Sequence, residues 1–434
     1  MNKTPLANLI NPNHPLVKLA QSIDWANFDE QFGVSYSAET GRPGISTRLM
    51  VALHYLKYTH DLSDEAVLRQ WVENPYWQYL SGMMYFEHQM PINPSTMSRW
   101  RSRISEAGAE ELLRETIQAG LRLQIIKPSQ LKRVNVDTTV QEKEIRFPTD
   151  ARLYDRMRQR LVKAAKAEDL TLRQSYVRVG KRLLRWQSRY ASARQFRRAR
   201  RCTGKLRTLL GRVTRDIERK VQQPSAETEE LLALANRLYD QKRHDKGKLY
   251  SVHAPEVECI SKGKANKRYE FGNKVSLGVP SKGGWVVAAK SCPGNPYDGH
   301  TLQSTMDQLV SITGKEPEHV YADMNYRGHD YEGECEVHVD RRRRGGVAVS
   351  AWRWMKRRAA IEPTIGHLKE DRRMERNRLK GTEGDKINAV LSAAGMNFSK
   401  LLSALGAFWS LLLDRLAALF APRSPDRDLA VSAA

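Results

Sequence analysis

At 434 residues the chain is long enough for two to four structural units around a large core. With 40% hydrophobic and 28% charged residues it is not a disordered chain, and a formal net charge of +23 favours a polyanionic partner, DNA or RNA. The cysteines, Cys202, Cys259, Cys292 and Cys335, form no CxxC pair and the eleven histidines show no metal-ligand spacing, so neither a disulfide framework nor a zinc site is expected, and a reducing cytosol fits.

In chain order, the opening "MNKTPLANLINPNHP" lacks the apolar core of a signal peptide. From about residue 15 to 125 helix signals prevail: "STRLMVALHYLKYTH" is apolar at helical spacing, and "LSDEAVLRQWVENPYWQYLSG" offers Ser63 as a cap and stops near Gly82. "INPSTMSRWRSRI" then predicts a helix capped by Asn93 with Pro94 at its first position. That helix would display Ser98, Arg99, Arg101 and Arg103, with Trp100 and Ile104 packed. A polar turn before a basic helix is the pattern of a DNA-reading helix; an ordinary basic surface helix is the plain alternative.

At "VNVDTTV" the period changes to two, which predicts a strand with Val134, Val136 and Thr138 on one face and Asn135, Asp137 and Thr139 on the other. A mid-strand carboxylate is a poor strand former and costly to bury alone, so Asp137 calls for a function. Residues 151–245 follow as a basic, helix-favouring block. Between Ala151 and Lys220 stand 23 Lys or Arg against 5 Asp or Glu, a local +18 of the total +23. One sign of charge on that scale repels itself, and a bound phosphate backbone, without sequence readout, is the better explanation than a solvated hairpin.

Strands resume at "KRYEFGNKVSLGVP" and "GWVVAAKSC", followed by a helix at "HTLQSTMDQLVSIT" and a short strand at "HVYAD". Asp298-Gly299-His300 and His329-Asp330 fall in loops near the sheet, where they could support the ligands of a site from behind; plain loop or turn residues are the favoured reading. A second basic run, Arg341–Arg344, precedes a helix over about Trp352 to Lys369, and "INAVLSAAGMNFSKLLSAL" closes the core. The apolar run Leu401–Leu413 is too short to span a bilayer, so no membrane partner is expected, and "PRSPDRDLAVSAA" reads as a disordered tail. An α/β sheet domain split by a helical insertion results.

Three carboxylates stand out: Asp137 in mid-strand, Asp323 at the end of "VYAD", and Glu362 in "KRRAAIEPTIGHLKE". Strand ends are where ligands sit in open α/β sheets. On a continuous helix Arg358, Glu362 and Lys369 would share one stripe, although Pro363 predicts a kink near Glu362. Carboxylates on rigid elements suit Mg²⁺, and two such ions can activate a water or 3′-hydroxyl on a phosphodiester. Arg358 and Lys369 would hold phosphates. No GxSxG elbow, P-loop or HExxH is present.

The segments "VNVDTTVQEKEIRFPTDARLYDR", "HAPEVECISKGKANKRYEFGNKVSLG", "PGNPYDGHTL", "VYADMNYRGHD", "RAAIEPTIGHLKEDRRMERNRLKG" and "NAVLSAAGMNFSKLL" resemble bacterial insertion-sequence DDE transposases, the group called insertion sequence family five within the wider family-four superfamily. The resemblance runs from about His14 to Leu402. It implies an N-terminal all-α domain (1–128) that helps bind the element's terminal inverted repeats. It further implies a ribonuclease-H-like mixed-sheet catalytic domain (129–402) interrupted at about 151–245, and a C-terminal helix and tail (403–434). Its catalytic and metal-binding triad maps onto Asp137, Asp323 and Glu362, with two Mg²⁺ ions, or Mn²⁺ in their place. The superfamily signature Tyr-x2-Arg-x3-Glu-x6-Lys matches at Arg358, Glu362 and Lys369 but has Met355 at the tyrosine. Trp352 and Trp354 nearby could stack on an unpaired base. Double-stranded DNA, as element ends and as target, is the implied partner. A homodimer or higher complex and a bacterial cytoplasmic, nucleoid-associated location go with it. The rival readings are a non-transposing nuclease, a catalytically inactive DNA-binding protein on the same fold, and a basic RNA-binding protein.

Overall fold

The structure is a computed structural model that describes residues 4–33, 44–242, 244–261, 267–340 and 349–420. Among the described residues six α-helices come first: α1 (Pro15–Ser22), α2 (Trp25–Gly33), α3 (Thr47–Thr59), α4 (Asp64–Glu73), α5 (Pro75–Leu80) and α6 (Pro94–Arg122). Ser63 and Asn93 start α4 and α6 as expected. The Ser63 hydroxyl accepts from the Ala66 amide at 3.1 Å, and the Asn93 side chain from the Ser95 amide at 3.0 Å with Pro94 in the first turn. Helix α6 is broken at Ser105, whose left-handed φ of 58° interrupts the ladder, so the basic segment 94–104 is an arm of its own.

The sheet follows. Strand β1 (Arg133–Glu142) pairs antiparallel with β3 (Glu270–Pro280) and parallel with β5 (His319–Ala322). The edges are β2 (Glu258–Ile260) and β4 (Ala288–Cys292), both on β3, and β6 (Glu336–Val339), parallel to β5. The described residues therefore form a mixed α/β protein with a mixed sheet and many helices. Between β1 and β2 it passes through α7 (Asp150–Ala167), α8 (Val177–Ser192), α9 (Phe196–Lys220) and α10 (Ala226–Asp240). These helices bury Leu161, Leu206, Leu210, Val213, Ile217 and Leu238 in a core of their own.

Helix α11 (Leu302–Thr313) covers β3 and β4. Helices α12 (Val349–Arg357) and α13 (Ile361–Asp371) are joined by a 3₁₀ turn at Arg358–Ala360, and α13 packs on β1. Helix α14 (Gly381–Phe420) lies against α3, α6 and β4 and runs unbroken across residues 402 and 403. One hydrophobic core joins the N-terminal helices to the sheet: Tyr55 stacks on Phe398 with ring centroids 4.7 Å apart, and Leu53, Leu113, Val136, Val275 and Leu391 belong to the same cluster. The Arg341–Arg344 run and the tail after Pro422 lie outside the described residues. Among the described residues no helix is long and apolar enough to cross a membrane.

Candidate active site

Alternation suggested a half-buried β1. Instead both faces are covered: Asn135 is fully buried with its Oδ1 accepting from the Ser281 hydroxyl at 2.9 Å, and Val136, Thr138 and Thr139 are buried beside it. The break in this cover is Asp137, whose side chain keeps 21% exposure. Its Oδ1 accepts from the Thr138 amide at 2.8 Å, which sets the carboxylate at the rim of the strand.

Strand β5 lies parallel to β1, with Val134 beside Val320 and Asn135 beside Tyr321. The same register carried two residues further sets Asp323 level with Asp137. There the strand ends, and Asp323 caps a 3₁₀ turn over Met324–Tyr326 by accepting from the Asn325 amide at 2.9 Å. Asp137 and Asp323 line one cleft of about 470 Å³, together with Thr138, Lys274, Tyr297, Asp298 and Asn325.

Asp298, read chiefly as a turn residue with a supporting place near the site as the alternative, also faces this cleft. Its Oδ1 accepts from the Thr138 hydroxyl at 3.0 Å and from the Lys274 ammonium at 2.8 Å. Lys274 thus brings a cation to the floor of an acidic cleft from the neighbouring strand. Its partner lies 24 residues away, so no local spacing announced it. Tyr326 is buried close by; desolvation first, and the Asp137 charge second, push its hydroxyl pKa well above the ordinary phenol value, so it stays neutral.

Glu362 is exposed in the first turn of α13. The expected single stripe of Arg358, Glu362 and Lys369 does not form. Pro363 sits in that first turn, where a missing N–H costs nothing, and the irregularity lies upstream at Arg358–Ala360. Arg358 turns onto Asp137, Nη1 to Oδ2 3.5 Å, and so links the Glu362 helix to the cleft. Lys369 points elsewhere, with its ammonium 3.4 Å from the buried Glu270.

The basic arm 94–104 also divides. Arg99 and Arg103 are exposed. Arg101 is not displayed: its guanidinium is 4% exposed and grips Asp64 through two hydrogen bonds of 2.9 and 2.6 Å, beside Lys57 and His54. The Trp354 ring lies among three cations, Arg133, Lys282 and Arg357, at 5.0, 5.5 and 5.7 Å from its centroid.

An all-oxygen donor set of Asp137 and Asp323 in an open cleft fits hard divalent cations such as Mg²⁺ or Mn²⁺. Among the described residues the oxygens of Asp137, Asp323 and Glu362 do not all come within 4.8 Å of one another. Carboxylates that share a pair of ions about 4 Å apart need not touch.

Residues 4–103 match the family model described as Transposase domain (DUF772), and residues 240–398 match that of the Transposase DDE domain. The chain belongs to the DDE transposases. A curated relative, "Uncharacterized protein ORF8 in nfe locus" of Rhizobium meliloti, is 54% identical over 188 residues, which cover 43% of this chain and 90% of the relative. No solved structure matches. DNA is the transposase's substrate, and DDE transposases use divalent metal ions. Asp323 and Glu362 fall inside the DDE match, Arg99, Arg101 and Arg103 at the end of the first match, and Asp137 between the two. A non-transposing nuclease or a catalytically inactive DNA-binding protein is not favoured by these matches.

Proposed function

We propose that the transposase cuts the phosphodiester at each end of an insertion sequence and transfers the released 3′-hydroxyl into target DNA, with Asp137, Asp323 and Glu362 as its triad. The observation that carries this reading is the opening at Asp137. A strand buried on both faces exposes one carboxylate, and the parallel register of β5 brings a second into the same cleft. Two divalent ions, Mg²⁺ or Mn²⁺, held by these carboxylates would activate the attacking oxygen and neutralise the leaving one. The protein's own part is positioning. Asn325 orients Asp323 through its amide and side chain. Lys274 and Thr138 hold Asp298 as an anionic wall of the cleft. Arg358, free to exchange its 3.5 Å contact with Asp137 for a phosphate, supplies a planar bidentate donor.

The sheet order, with β1 between antiparallel β3 and parallel β5, supports a ribonuclease-H-like catalytic unit. We assign α7–α10 as an insertion in it whose basic surface tracks DNA backbone, and the arm with Arg99 and Arg103 as a contact to element ends. Lys369, paired to Glu270, is assigned a supporting place under the site rather than a phosphate. Membership of insertion sequence family five, action as a homodimer or higher complex, and a cytoplasmic, nucleoid-associated location complete the proposal. The test is a labelled duplex bearing the element's own end, incubated with target plasmid and Mg²⁺. Cut ends joined to target support the reading; cutting without joining would leave a nuclease in its place.

A further inference from the structure

A second cluster of ligating side chains lies at the opposite end of β5 from Asp323. His319 opens β5, and Glu336 and His338 stand two residues apart on β6, so both project from one face of that strand. The parallel register puts His319 beside Glu336 and Tyr321 beside His338. The three ligand atoms form a small triangle. His319 Nδ1 is 3.2 Å from Glu336 Oε2 and 3.2 Å from His338 Nε2, and His338 Nε2 is 3.5 Å from Glu336 Oε2.

Those edges match one face of a metal tetrahedron. Bonds of about 2.0–2.1 Å at tetrahedral angles place ligand atoms roughly 3.3–3.4 Å apart. The Tyr321 ring stacks on His338 with centroids 4.8 Å apart and planes 12° apart, which fixes the imidazole plane. His338 and His319 are half-buried and Glu336 is 65% exposed, so the fourth vertex opens to solvent. We propose that His319, Glu336 and His338 bind one Zn²⁺-class transition-metal ion that pins the edge strand β6 to β5.

Two imidazoles and one carboxylate select such ions, whereas Mg²⁺ prefers an all-oxygen site. The cluster is therefore distinct from the Asp137 cleft, which lies four residues along β5, about 13 Å at strand rise. The consequence is structural. Strand β6 is a four-residue edge strand, and the chain leaving it leads to α12 and the Glu362 helix. A metal clip across β5 and β6 would fix the root of that connection.

The test uses the full-length protein, stripped with a chelator and titrated with Co²⁺ in excess Mg²⁺, which occupies the carboxylate cleft. One equivalent should bind with the visible absorption of tetrahedral Co²⁺ and be displaced by Zn²⁺. Removing even an outer partner of a metal ligand costs about 10–100-fold in affinity, so Glu336→Gln and His338→Asn should each weaken binding at least about tenfold. Asp137→Asn should leave it unchanged. Because Glu336 is exposed, its variant keeps the fold even if the half-buried histidine variant does not. Absence of the tetrahedral spectrum in wild type, or equal affinity in Glu336→Gln, would overturn the assignment.

Discussion

Replacing Arg101 with methionine keeps most of the side-chain volume and removes the charge. In the native protein Arg101 and Lys57 hold the Asp64 carboxylate between them, at 2.6 Å each, with side-chain exposures of 4%, 6% and 16%. Breaking a buried pair in this way costs about 3–5 kcal/mol, because a desolvated charge loses its partner. Two features place Arg101→Met at the lower end, about 3 kcal/mol. Asp64 retains Lys57, and Lys57, whose pKa is lowered to about 8 by burial and then by Arg101, loses a like charge. The exposed neighbours should behave oppositely: Arg99→Ala and Arg103→Ala should change stability by less than about 0.5 kcal/mol. Each should instead lower the slope of log affinity against log salt on element-end DNA by about 0.9. Urea unfolding and fluorescence anisotropy on the same three variants separate the two roles. Arg101→Met with wild-type stability and a reduced salt slope would refute the division.

Other outcomes follow from the same geometry. His54 is fully buried, with its ring against the Met50 carbonyl and the Arg101 guanidinium, and its pKa is lowered to about 3, chiefly by burial. A folded-state pKa below the unfolded value of about 6.5 means that the unfolded chain binds the proton first. Stability should be complete above that value and fall by up to about 1.4 kcal/mol per pH unit from pH 6.5 to 5, a slope that His54→Gln should flatten in urea titrations. Arg358→Ala should reduce strand cleavage by about 10²–10³-fold, as removal of one electrostatic stabiliser does, and Arg358→Lys should recover little of it. Full recovery by lysine in single-turnover cleavage would show that charge alone is needed there. On α8 and α9, where Arg182 lies over Trp186 and Arg198 over Tyr190, alanine at either arginine should weaken binding uniformly across DNA sequences. A sequence-dependent loss in competition binding would contradict a backbone-tracking role.

Local chemistry carried much of the fold into the sequence. The Ser63 and Asn93 caps, the β1 strand and its exceptional aspartate were visible because capping and period two are local signals. Arg101 shows what a single feature can hide. Read as part of a basic run it looked displayed. Read by spacing, Met97, Trp100, Arg101 and Ile104 form one helical stripe, and Arg101 faces inward with them. Its partner Asp64 lies 37 residues away, a distance that no periodicity reports. The cleft was legible only in part for the same reason. Asp137 and Asp323 were marked by strand position, whereas Lys274 meets Asp298 through the pairing of β3 with β4, which sets Lys274 beside Cys292, and reaches the Asp137 strand through the pairing of β3 with β1. The Arg358–Ala360 turn was masked by Pro363, a stronger signal three residues too late.

The central claim rests on three carboxylates, so the most direct measurement compares Asp137→Asn, Asp323→Asn and Glu362→Gln with the wild-type transposase on one labelled element-end duplex. Binding, cleavage and joining are read in parallel with Mg²⁺ and with Mn²⁺. Each substitution preserves shape and removes a ligand charge. Near-wild-type DNA binding with cleavage and joining both abolished in all three is the predicted result. Cleavage that persists in any one of them would remove that carboxylate from the active site.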